Sequence, residues 1–133
     1  VGFTDPDSRR TYPWDHANYE LVDFHRDLIF MRKVNTALKN GSLNFLTCGR
    51  NFISYARFNH EERMVIAINS GSDSMDVDIP VWKGDVPMEC IMTQVFATTP
   101  KGYSLMPVNM TVQKGILHIR LSGLSGVVLS YEL

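Results

Sequence analysis

The chain has 133 residues, a formal net charge of −1, 44% hydrophobic and 20% charged residues, the length and balance of one globular domain rather than a disordered segment. So even a charge excludes a broad basic field for nucleic acid and a broad acidic one for a basic partner. No apolar run is as long as a bilayer crossing requires, and no signal-peptide pattern opens the chain. It begins at Val1 rather than Met, so a cut N-terminus is expected.

Residues 1–17 hold Pro6 and Pro13 and the alternating charges Asp5, Asp7, Arg9, Arg10 and Asp15. No period of 2 or 3.6 survives there, which predicts an ordered loop or tail. The spacing then predicts a helix from Asn18 to Leu38, with Leu21, Phe24, Leu28, Met31 and Leu38 on one face. Asn18 suits the N-cap and Glu20 the first turn, where the dipole favours an anion. Arg32, Lys33 and Lys39 collect toward the end, and Gly41 is expected as a left-handed stop. Val22, Ile29, Phe30 and Val34 widen the apolar surface beyond one stripe, so the helix calls for partners on more than one side.

After Gly41 the period switches to two. Strands are expected at Ser42–Thr47, Phe52–Phe58, Met64–Asn69, Met75–Ile79, Met88–Val95, Asn109–Gln113, Ile116–Leu121 and Val127–Leu133. Turn residues separate them, at Gly49-Arg50-Asn51, Ser70-Gly71-Ser72-Asp73, Lys114-Gly115 and Ser122-Gly123 among others. Eight short strands with frequent turns predict a mainly β fold, one N-terminal helix followed by an antiparallel Greek-key sandwich.

Most candidate chemistry has an ordinary reading. Cys48 and Cys90 lack metal-ligand spacing and are expected to be small buried thiols. They leave the compartment open, with a slight lean to the cytoplasm. His16, His25, His60 and His118 are scattered, and Asp73, Asp76, Asp78 and Asp85 lack the calcium-loop period, so no metal site is expected. Asn109-Met110-Thr111 is a glycosylation sequon, a short pattern often met by chance. Trp82, in the predicted loop Pro80–Gly84, is read mainly as a plug for one end of the sandwich and secondarily as a sugar-stacking platform.

The charged loop is more informative. Alternating carboxylates and guanidiniums can pair in forks and stiffen a loop, and with Tyr12 or Trp14 nearby they also suit sugar hydroxyls and pyranose faces. The run Asp5-Pro6-Asp7-Ser8-Arg9-Arg10-Thr11-Tyr12-Pro13-Trp14-Asp15 resembles the segment after the last barrel strand in α-amylase family glycoside hydrolases. It looks most like the neopullulanase, cyclomaltodextrinase, maltogenic amylase and amylopullulanase types. The stretch Glu20–Lys33 resembles their final barrel helix, and Ala37-Leu38-Lys39-Asn40-Gly41 their entry into a C-terminal β-sandwich. The resemblance is specific over about the first 40 residues and architectural beyond them.

It implies that residues 1–40 end a catalytic β/α barrel and 41–133 form the C-terminal sandwich. It also implies that the parent is a retaining glycosidase acting on α-1,4 and α-1,6 glucosidic bonds through two carboxylates. Those carboxylates lie on earlier barrel strands in the family, so no catalytic residue is assigned here and this chain alone is expected to be inactive. The family's first loop Asp and Arg line sugar subsites; they match Asp5 and Arg9, while Asp7 and Arg10 brace the loop. Ser8 stands where the family often has Asn or Cys. No cofactor is implied. The expected partners are an α-glucan or maltodextrin, the catalytic barrel, and a second copy of the chain through the helix; neither nucleic acid nor membrane is among them. Two other functions compete: a carbohydrate-binding sandwich with Trp82, Tyr103 or Tyr55 stacking on glucan, and a purely structural domain. The broad apolar helix argues against a free-standing binding module.

Overall fold

The computed structural model describes residues 9 and 11–132. Its contacts gather into two compact units, residues 1–31 and 32–133.

In the first unit a single 3-10 turn, Trp14–His16, precedes helix α1, Tyr19–Val34. The Asn18 side chain accepts the Leu21 N–H at 3.1 Å and so caps the helix as its residue type predicts. Within α1, Arg26 pairs with Asp23 one turn earlier, and His25 Nδ1 donates to the Leu21 carbonyl at 2.7 Å. Phe24, Leu28 and Met31 are half-buried, and Leu21, Ile29, Phe30 and Val34 are exposed.

The expected helix from Asn18 to Leu38 is not continuous. Asn35 is extended (φ −91°, ψ 116°), and a short helix α2, Thr36–Asn40, follows it. The cause lies far along the chain. The buried Glu62 carboxylate accepts from Ala37 N–H at 2.7 Å and Thr36 Oγ1 at 2.8 Å. A carboxylate reaching in from the sheet thus serves as the N-terminal cap of a new helix. Gly41 also differs from expectation: it is extended (φ −69°), not left-handed. It must be small, because a Cβ there would lie 2.5 Å from the Ala37 carbonyl oxygen and 2.8 Å from that of Phe58.

The second unit is built on nine antiparallel strands: β1 Ser42–Gly49, β2 Phe52–Phe58, β3 Glu62–Asn69, β4 Met75–Pro80, β5 Cys90–Thr99, β6 Gly102–Ser104, β7 Val108–Gln113, β8 Ile116–Leu121 and β9 Ser125–Glu132. They run in the order β1-β2-β3-β9-β5-β7-β8-β4, with β6 on the side of β5. Strand β4 lies beside β8 rather than beside β5, which follows it in the chain; that is the Greek-key crossing. The sheet is nearly closed, its end strands β1 and β4 approaching each other. Strand β5 joins the two halves: Cys90–Gln94 pair with β7, Thr93–Thr98 pair with β9, and a bulge between Gln94 and Phe96 bends the strand where the two sets overlap.

One core fills the space between the halves. Leu46, Ala56, Val65, Leu129, Met92, Val112, Leu117 and Ile119 all belong to it. The β7–β8 hairpin turns through Lys114 (φ 52°) and Gly115 (φ 74°), two positive-φ residues between Gln113 and Ile116, as a tight hairpin requires.

Three further expectations need correction. Strand β5 runs on to Thr99 and pairs with the additional strand β6, because neighbouring backbone supplies partners that local propensity does not reveal. Cys48 is exposed and Cys90 half-buried, both as free thiols, since β1 lies at the sheet edge and leaves its Cys48 end open to solvent. Trp82 is no plug: it sits on a 3-10 turn, Val81–Gly84, and is 50% exposed.

Candidate functional site

Of the two residues matched to sugar subsites, Asp5 lies outside the described residues, as do Asp7, Ser8 and Arg10. Arg9 is described and exposed. Beyond it, the Tyr12 and Trp14 rings meet edge to face with centroids 4.9 Å apart, and Trp14 keeps 77% of its surface open. This stretch therefore carries an exposed arginine and an aromatic pair, residue types able to bond hydroxyls and to cover a pyranose face.

The sandwich carries three aromatics read as stacking candidates, and their surroundings differ. Tyr103 stacks on Phe96 with centroids 5.4 Å apart and planes at 10°, and Tyr55 meets Phe45 edge-on at 6.3 Å. Both are half-buried. Trp82 has the Lys83 ammonium 5.8 Å from its ring centre and half its surface in water. Gly115, thirty-three residues further on, packs so close to Trp82 that a Cβ there would crowd the indole edge.

Several other ionisable groups form structural pairs. On the outer face of β4 and β8, Asp76 pairs with Arg120 and Asp78 with His118, directly across the ladder. Asp85 pairs with the buried Arg63. His60 lies 3.5 Å from Glu61. No group of three or more His, Cys, Asp or Glu side chains poised to hold a metal occurs among the described residues. Partial burial, helped by the Glu89 charge, pushes the Cys90 thiol up from its usual range. A raised thiol pKa disfavours the thiolate, so Cys90 has none of the activation a nucleophile needs.

No family model matches the chain. Amylopullulanase from Thermoanaerobacter thermohydrosulfuricus is 26% identical over 137 residues, an alignment covering 96% of this chain and 9% of that protein. Cyclomaltodextrinase from Geobacillus thermopakistaniensis is 31% identical over 85 residues, covering 61% of this chain and 14% of that protein. Among solved structures, the debranching enzyme from Nostoc punctiforme superposes with a TM-score of 0.68 at 26% identity, over 96% of this chain and 24% of that one. The chain resembles the C-terminal part of α-amylase family glycosidases. It spans only a small fraction of the length of each of these relatives, and its sandwich is the part whose architecture is described most fully.

Proposed function

We propose that the chain is the C-terminal fragment of a retaining α-glucan-hydrolysing glycosidase of the neopullulanase and amylopullulanase type. In this reading residues 1–40 end the catalytic barrel, and 41–133 form a non-catalytic sandwich that supports it. The observation that carries the reading is the extent of the amylopullulanase alignment. At 96% of the chain it must take in most of the loop and helix as well as the sandwich. A free-standing sugar-binding module would be expected to match over the sandwich alone.

Asp5 and Arg9 are the residues proposed to contact sugar, each through groups that bond hydroxyls: a carboxylate accepting and a guanidinium donating. The acid/base and nucleophile belong to the barrel, so the 133-residue chain by itself turns over no substrate. The test is a paired assay on pullulan and maltodextrin. The full-length protein is expected to hydrolyse at least one of them and the 133-residue chain neither. Turnover by the chain that disappears on replacing one of its own carboxylates would overturn the reading, as would a full-length protein inactive on every α-glucan. In the full-length protein, Arg9→Ala is expected to lower kcat/KM while leaving the fold intact.

The exposed side of α1 bears on assembly. Ile29 (54% exposed), Phe30 (64%) and Val34 (57%) share it, and apolar surface of this kind favours association. Barrel contact covers it in the parent, and in the isolated chain a second copy does, by two-fold pairing. Sedimentation of the chain beside an Ile29→Glu, Phe30→Glu double variant tests this. A wild type that stays monomeric at high concentration would rule the pairing out.

A further inference from the structure

The turn that displays Trp82 is held from four directions. Asn44 Nδ2 on β1 donates to the Lys83 carbonyl at 2.7 Å. Arg63 on β3, buried at 7% exposure, donates through Nε to the Asp85 carbonyl at 3.0 Å and pairs with the Asp85 carboxylate. The Trp82 N–H donates to the Gly115 carbonyl at 3.2 Å. Gly84 lies so close to β2 that a Cβ on it would sit 2.3 Å from that of Ala56. The neighbouring Val81 is fully buried in the core.

The indole itself is braced along one edge. A Cβ on Gly115 would approach Trp82 Cβ and the Met88 sulfur at 2.8 Å and Trp82 Cδ1 at 2.9 Å, so the positive-φ glycine is the seat on which the ring rests. The result is a large apolar ring on an anchored turn, packed along one edge and left half in water. Exposure of that kind forfeits the burial such a side chain normally gains. In return, a ring already fixed in place loses little freedom when a ligand covers it.

The surroundings narrow the ligand. The Lys83 ammonium lies over the ring, 5.8 Å from its centre, and can swing aside to give a ligand there a hydrogen-bond donor. The Pro80–Ile116 pair leads from the turn along the exposed face of β4 and β8 to the Asp78–His118 and Asp76–Arg120 pairs. Glu89 lies nearby, accepting the Lys114 N–H at 2.8 Å. Positive and negative groups are interleaved and largely paired, so neither a polyanion nor a polycation finds a field to follow. A pyranose fits better: it has an apolar C–H face for the indole and a rim of hydroxyls that both donate and accept.

We infer that Trp82 is a surface docking platform for a glucan chain, with Lys83 and the flanking charge pairs bonding its hydroxyls. That the glucan is α-linked rests on the proposed function. Affinity electrophoresis of the 133-residue chain in gels containing soluble starch or xylan tests it, with a Trp82→Ala variant alongside. Starch is expected to retard the wild type, and Trp82→Ala about five- to tenfold less, the range for one lost aromatic contact; xylan is expected to retard neither. Equal retardation of wild type and Trp82→Ala, no retardation at all, or equal retardation in xylan would each overturn the inference.

If Trp82→Ala fails to fold, fluorescence still decides. The chain has two tryptophans, so Trp14→Phe leaves Trp82 as the sole indole, and maltoheptaose must shift its emission to the blue. An unshifted spectrum overturns the platform. The two proposals separate cleanly: α-glucan hydrolysis by the full-length protein without retardation of the chain removes only the platform, and retardation without hydrolysis removes only the glycosidase reading.

Discussion

Helix α1 buries none of its residues, whereas β3 buries every residue of Glu62–Asn69 except Ile68. The helix carries several local contacts, among them the Asn18 cap, the Asp23–Arg26 pair and the His25–Leu21 bond. The strand is held on one side by β2, its hairpin neighbour, and on the other by β9, some sixty residues further along the chain. Local contacts give a helix its start and direction but little net stability, since an isolated helix of this length is marginal in water. Burial on both faces makes β3 the structural axis of its unit, and the same burial makes it intolerant of change.

This contrast predicts a graded set of responses to mutation, read by urea unfolding of the chain. The largest belongs to β3 and its neighbour: Met64→Ala and Leu129→Ala, both at fully buried sites, are expected to cost about 2–5 kcal/mol each. Losses below about 1 kcal/mol would mean that the core tolerates cavities and that the contrast with α1 is overstated. Next comes Glu62→Ala, which strands the Ala37 N–H and leaves the Thr36 hydroxyl to Glu61. A cost of about 1–3 kcal/mol is expected, with hydrogen exchange rising first across residues 36–40. Exchange that rises uniformly would show that α2 does not depend on this cap.

Asn18→Ala is expected to cost about 0.5–1 kcal/mol, through fraying of the first turn of α1; helical circular dichroism should fall while the sheet signal holds. The smallest effect is expected at the solvent side of the helix. Phe30→Ala should change unfolding of the dilute chain by less than about 0.5 kcal/mol, because the ring is already 64% exposed. A larger loss would reveal that the ring is covered in solution.

The same contrast marks what the sequence could reveal. The bounds of β2 and β8 follow directly from alternation: Leu117, Ile119 and Leu121 are buried, and His118 and Arg120 are exposed. The Asn18 cap was equally legible, because capping is decided within four residues. The break at Asn35 was not, since the carboxylate that restarts the helix is on β3. The extension of β5 and the short β6 escaped for the same reason: Thr98 and Thr99 are strand residues because Tyr103 and Gly102 lie beside them. At the candidate site, residue types drew notice to Trp82 but favoured a plug; its half-exposed position on a turn packed against Gly115 and anchored by Arg63 and Asp85 arises from contacts distant in sequence.

One feature of the sheet governs how the chain is made. Strand β9 follows all the others in the chain yet lies between β3 and β5, hydrogen-bonded to both. While the polypeptide emerges from the ribosome, the β1–β2–β3 meander can form early, but the edge of β3 that awaits β9 stays unpaired until the last strand is delivered. An apolar edge left open for that long is a template for intermolecular pairing. Synthesis therefore passes through a window in which the nascent sandwich is aggregation-prone. The arrival of β9 closes that window in one step, so yield in a cell should depend on chaperone capacity and translation speed as much as on the stability of the finished fold.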